Sequence, residues 1–184
     1  MNVNFKYNEP AEAEKIYFEQ IFAEKPGGGI VGNVGVDFPP STPVYDANGR
    51  YTIMPFFKVY ETASSTSKSI KIEPTDIDAE NMPVAFKNKA VNYTSIEKTN
   101  GEFHRLELQE SFGVEIPAGS ILYFTESAGP NAVVLGTPAF VTGDWVYANQ
   151  GDQAVRLING ANLRKETANI ASEVAALLPG INLV

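Results

Sequence analysis

The stretch from Val36 to Thr62, VDFPPSTPVYDANGRYTIMPFFKVYET, constrains the fold more than any other part of the chain. It opens on Phe38-Pro39-Pro40-Ser41-Thr42-Pro43, where three prolines fix φ and favour extended or turn conformations. Val44-Tyr45 then leads into Asp46-Ala47-Asn48-Gly49, and Asn-Gly between apolar runs is the strongest short hairpin signal in a sequence. From Arg50 to Glu61 aromatic and β-branched residues dominate, as in a strand. The stretch therefore reads as a hinge between an N-terminal arm and a β body.

The arm comes first. Asn8 can cap a helix with Glu9 and Pro10 in its first turn, where a missing N–H costs nothing and a carboxylate suits the dipole. This predicts a helix to about Glu24, with Ile16, Tyr17, Phe18, Ile21 and Phe22 covering more than one face. Pro26-Gly27-Gly28-Gly29 ends it and opens a flexible linker. Gly27, Gly29 and Gly32 match a formal G-x-G-x-x-G, but they follow a predicted helix and lead into prolines, whereas a dinucleotide fingerprint follows a strand and opens a helix.

After Thr62 the chain reads as short strands: Ser69–Glu73, a hairpin of Ala90–Ile96 with Glu102–Leu108 around Asn100-Gly101, Ser120–Thr125 launched by Ile116-Pro117-Ala118-Gly119, Ala132–Leu135, and Trp145-Val146-Tyr147. A third Asn-Gly, Asn159-Gly160, is expected to close Ala154–Ile158 against Ala161–Leu163. Strands at this density, so punctuated, predict a mainly β protein, an antiparallel sandwich or barrel. From Arg164 the composition turns helical, and Leu163, Thr167, Ile170, Val174 and Leu177 fall on one stripe. A C-terminal helix facing the sheet is expected, ended by Pro179-Gly180. The organisation expected is thus an arm over residues 1–35 and a β-rich body over 36–184.

Totals exclude several classes. With 184 residues, one domain or one domain with an arm is expected. There is no cysteine, so disulfides, thiolate metal sites and thiol catalysis are out. A net charge of −8 has the wrong sign for binding a phosphate backbone. No window holds the roughly 18 apolar residues of a membrane span, and no basic-then-apolar leader opens the chain. Neither nucleic acid nor membrane is an expected partner, and synthesis in a cytoplasm is expected.

Catalytic signals are as sparse. The single histidine, His104, has no second His or Cys with which to share a metal, and no strained serine elbow accompanies it. It reads as an exposed strand residue. Asp76, Asp78 and Glu80 open like a calcium loop, but Asn81 and Lys87 stand where that loop needs Gly and a bidentate Glu. A solvated acidic turn is the reading, and no metal, cofactor or enzymatic activity is expected.

Four segments carry a resemblance: Phe38 to Thr52 (FPPSTPVYDANGRYT), Ile116 to Phe124 (IPAGSILYF), Gly129 to Ala132 (GPNA) and Val141 to Val146 (VTGDWV). Their combination resembles head fibre and capsid decoration proteins of tailed bacteriophages, those of crAss-like phages among them. Ser120 replaces the aspartate usual in the second motif. The resemblance implies a non-enzymatic structural virion protein, a homotrimer on the outer capsid surface. Its arm would grip the major capsid protein through Ile16, Tyr17, Phe18, Ile21 and Phe22. Trimer contacts would bury Tyr51, Ile53 and Phe57, with Ile170, Val174 and Leu177 from the tail, and the exposed body could meet host-surface or mucosal glycans.

A second reading competes. A carbohydrate-binding β-sandwich module would use an aromatic row around Trp145, Tyr147 and Tyr123 to stack on sugars.

Overall fold

The computed structural model describes residues 17–32, 36–77, 82–147 and 150–184. In chain order the strands are β1 (Phe18–Glu24), β2 (Gly29–Val31), β3 (Pro43–Ala47), β4 (Arg50–Ile53), β5 (Phe56–Lys58), β6 (Ser69–Ile72) and β7 (Pro83–Phe86). They continue as β8 (Lys89–Asn100), β9 (Phe103–Leu108), β10 (Ile121–Phe124), β11 (Pro138–Thr142), β12 (Gln153–Val155) and β13 (Leu157–Leu163). A four-residue helix α1 (Ser172–Ala175) precedes the last strand, β14 (Ile181–Leu183). The protein is mainly β.

Two sheets result. One has eight strands in the order β1-β13-β11-β3-β4-β2-β12, with β14 paired to β13; the other runs β5-β10-β7-β8-β9-β6. Pairing is antiparallel except for β13 with β14 and β2 with β4. The hairpin expected at Asn48-Gly49 joins β3 to β4: Ala47 faces Arg50, and the two turn residues take φ of 59° and 85°. Positive φ at both central positions gives the primed turn that Asn-Gly favours. Asp46 Oδ1 completes it by accepting the Gly49 N–H at 2.8 Å.

The six-stranded sheet closes on itself. Just past β5, Val59 bridges Ile72 of β6, Tyr60 N–H donates to Lys71 O (2.9 Å) and Glu73 N–H donates to Lys58 O (2.7 Å). Its interior is filled at every second position, by Phe57 and Val59, Ile70 and Ile72, Val91 and Tyr93, Leu106 and Leu108, Leu122 and Phe124. Period-two burial of this kind is what a small barrel needs. The eight-stranded sheet curls as well, since β12 at one end of its path passes into β13 near the other through Arg156 alone. It wraps Val31, Val44, Tyr51, Ile53, Val155 and Leu157. A third cluster lies between the sheets, Met54, Ala85, Ile121 and Tyr123 against Val141, Ile158, Ala161 and Leu163, with Ile170, Val174 and Leu178 added from the tail. Full burial of each such large side chain contributes roughly 1.5–3 kcal/mol.

Several expectations are corrected. Residues 18–24 form strand β1, not the end of a helix, and pair antiparallel with β13. The aromatic and β-branched run that covered too many faces for a surface helix suits a strand with β13 on one side and the core beneath it. The earlier part of that predicted helix, with Ile16, lies outside the described residues. The glycines after it form a tight turn: Gly27 and Gly28 have φ of 76° and 64°, and a Cβ on Gly28 would sit 2.3 Å from Val155 O.

Asn159-Gly160 is no turn. Both residues lie inside β13, and Gly160 faces β1 so closely that a Cβ would come within 2.7 Å of Ala23 Cβ and 2.9 Å of the Phe22 ring. Glycine serves there as the place where a neighbouring strand approaches. The C-terminal helix shrinks to α1. Leu163 is spent in β13, and Ala171 is extended (φ −70°, ψ 149°). The Asn169 N–H donates to Ser41 Oγ at 3.0 Å instead of to a helical carbonyl. Burial of Ala168, Ile170, Ala171, Val174 and Leu178 overrides helix propensity, which is a weak preference of a few tenths of a kcal/mol per residue.

Candidate functional site: an aromatic cleft between the sheets

The segment after β11 begins with Gly143, Asp144 and then Trp145, Val146, Tyr147. Val146 is fully buried and bridges Phe38, its N–H donating to Phe38 O (2.9 Å) while Phe38 N–H donates to Val146 O (2.8 Å). Extended backbone alternates its side chains, so fixing Val146 inward turns Trp145 and Tyr147 outward together. They are 42% and 45% exposed, and their rings lie nearly parallel, 16° apart with centroids at 6.2 Å. Gln153 holds the backbone beneath them: its Oε1 accepts the Tyr147 N–H (2.9 Å) and its Nε2 donates to Tyr147 O (2.7 Å). Two exposed aromatics are thus held in place by bonds that leave their rings accessible.

Trp145 lines a cleft of about 690 Å³. One wall comes from the entry segment, Val36 to Pro39, and the other from Phe56 to Lys58 and Glu73 to Ile77 beside the closed barrel. The entry wall is fixed by a buried polar knot. Pro39 O accepts from Thr42 Oγ1 (2.7 Å) and Thr142 Oγ1 (3.3 Å), and Asn169 Nδ2 donates to Pro40 O (3.0 Å). Ser41 takes a φ of 68° to make the turn. The prolines of this segment suit it, having no N–H to leave unpaired.

The opposite wall is organised by His104. This residue is buried, not exposed as expected, and its Nδ1 accepts the Thr75 N–H at 3.2 Å. A neutral ring is the one that can accept there. Asp76 pairs with Lys98 at 2.9 Å; the hydrogen bond from that ammonium, then its charge, hold the Asp76 carboxyl below the usual carboxylate range. Tyr17 also lines the cleft, and burial, then the Glu73 charge, raise its phenol pKa. Among the described residues no group of three or more His, Asp or Glu side chains is placed to hold a metal ion.

The residues singled out by sequence are scattered. Tyr17 is at the cleft, Phe18 and Ile21 pack half-buried on the cluster between the sheets, and Phe22 is 54% exposed with its ring over Gly160. Tyr51 and Ile53 fill the curl of the eight-stranded sheet, Phe57 fills the closed barrel, and Ile170 and Val174 lie between the sheets. These five are taken up by the chain's own core; of the six residues expected at a trimer contact only Leu177, at 52% exposure, faces outward. Tyr123 is separate from Trp145 and Tyr147. It is buried, its hydroxyl donates to Lys87 O, and burial followed by the Glu173 charge pushes its pKa up to about 12.

Sequence reasoning missed Gln153 and the wall from Glu73 to Ile77. The outward pair was signalled by Trp-Val-Tyr, an apolar residue between two aromatics, but nothing near Gln153 marks it as a clamp. No protein-family model, curated protein or solved structure matches the chain.

Proposed function

We infer that the chain is a structural virion protein, a homotrimeric head fibre or decoration protein held to the outer surface of a phage capsid through its N-terminal segment. The observation that carries this reading is the position of β1. Among the described residues it stands at the end of the eight-stranded path and pairs only with β13, which leaves its other edge to take a further strand. An edge strand of this kind is a template for strand addition, in which main-chain bonds supply affinity and alternate side chains supply specificity. Phe22, more than half exposed on that strand, is the apolar anchor. The resemblance carried by the turns at Pro40–Tyr51 and Pro117–Leu122 supports the same reading. Self-association falls to surface residues such as Leu177, because the aromatic strand residues are interior.

The test is co-sedimentation of the purified protein with capsid shells lacking it, beside light scattering in solution. Saturable binding is expected, with a mass about three times the 20.0 kDa of one chain. Phe22→Ser should weaken binding at least about tenfold, the scale of one lost apolar anchor, with melting little changed. A monomer that stays in the supernatant would sink the proposal.

A further inference from the structure

We propose that the cleft beside Trp145 binds a neutral carbohydrate, with the Trp145 ring as its stacking platform and Tyr147, outside the cleft lining, stacked against that ring. Large aromatics left half exposed lose the burial that normally stabilises them, and here extra bonds hold them in that state. Support from a rigid backbone is what a binding constellation needs, because freezing the platform in advance removes the ordering cost at binding. The rings are stacked nearly parallel, so their flat faces share one orientation. The C–H face of a pyranose complements such a surface, while its hydroxyls need donors and acceptors at the rim. Lys58, Glu73 and Asp76 supply those in the same cleft. Its volume is within the range of small-ligand sites, and its place between two packed bodies is where such sites recur.

Charge narrows the class. The lysines beside the cleft's carboxylates are already engaged, Lys58 with Glu73 (4.0 Å) and Lys98 with Asp76 (2.9 Å), and the chain carries −8 overall. Sialylated or sulfated glycans and single-stranded nucleic acid would bring like charge to this rim, even though bases also stack on aromatic rings. A proline-rich peptide prefers aromatics that form the two sides of a slot. Here the two rings stack nearly parallel on one another.

The chain provides its own reporter, since Trp145 is its only tryptophan. The full-length protein is titrated with cellotetraose, mannotriose, chitotriose and lacto-N-neotetraose while Trp145 emission is followed, with sialyllactose and a polyproline peptide as rivals. At least one neutral oligosaccharide should give a saturable blue shift with a Kd on the order of 1 mM or tighter. Tyr147→Ala should weaken it about tenfold, a stacking loss on the scale seen for other rings, with the circular dichroism melt unaltered. Calorimetry on Trp145→Ala should show a comparable or larger loss. The proposal is overturned if no neutral saccharide gives a saturable response, if sialyllactose or the peptide binds more tightly, or if Trp145→Ala binds as the parent does. No capsid enters the experiment, so its failure and that of the virion reading are separate results.

Discussion

Asn169 is the residue whose replacement tests how the tail is held. It is buried, its backbone N–H donates to Ser41 Oγ at 3.0 Å, and its Nδ2 donates to Pro40 O at 3.0 Å and more weakly to Ser41 Oγ at 3.4 Å. Asn169→Ala removes the amide and leaves the Pro40 carbonyl buried without that donor. Leaving one buried polar group unsatisfied costs about 1–3 kcal/mol. In a chain of this size 1 kcal/mol moves Tm by roughly 2–4 °C, so a fall of about 4–8 °C is expected for a 2 kcal/mol loss. Asn169→Asp separates this mechanism from simple loss of packing. An ionised carboxylate offers no donor to Pro40 O, whereas a protonated one does, so the folded state should raise that carboxyl's pKa above its unfolded value near 3.9. The unfolded chain then gives up the proton first. The Asp variant is therefore least destabilised below about pH 4, and its deficit grows as pH rises through the raised folded pKa. Urea melts at pH 3.5, 5 and 7 would measure it. If Asn169→Ala lost less than about 0.5 kcal/mol, or the Asp variant's deficit were flat with pH, the knot would not be what anchors the tail.

Two further outcomes follow from the geometry. A Cβ on Gly180 would sit 2.0 Å from Asn159 O, a backbone atom that cannot swing aside, so Gly180→Ala should unpair β14 from β13 and cost at least about 3 kcal/mol, read by denaturant melts. Tyr123, whose folded pKa is about 12, contributes stability that is fully present below the unfolded value near 10 and is lost as pH rises through the folded one; alkaline melts of the parent should therefore fall more steeply over this window than those of Tyr123→Phe, and equal slopes would refute the assignment.

How much of this was legible depends on how local each cause is. Asn48-Gly49 formed its hairpin because a two-residue turn needs only its own φ angles and the strands beside it. Asn159-Gly160 carries the same two letters, yet β1, distant in sequence, lies over Gly160 and makes it a strand residue. Glycine's freedom is used for a turn in one case and for close approach in the other, and no local window tells them apart. The tail fails in the same way: KETANIASEVAALL is a sound helical sequence, but the acceptor that captures the Asn169 N–H is Ser41, set in place by prolines far up the chain. Period-two burial in β9 was readable, whereas closure of the barrel rests on Val59 meeting Ile72 across a polar turn, a pairing that alternation does not encode.

The functional surfaces follow the same division. Aromatic content marked Tyr51, Ile53 and Phe57 as candidates for contact with another copy, but a small closed barrel and a curled sheet need large side chains inside, and they take these. What remains outside is decided by alternation around a buried neighbour. Val146 is held by Phe38, so Trp145 and Tyr147 must face solvent, whatever their hydrophobicity would prefer. An aromatic pair exposed because its backbone is bonded on both sides is a stronger pointer to a ligand than one exposed at a loose loop tip. The proposed attachment edge is β1, which among the described residues pairs on one side only and carries the exposed Phe22. The two proposals rest on different segments of one β framework, a strand edge for the surface and an aromatic pair for the ligand, so each can fail without the other.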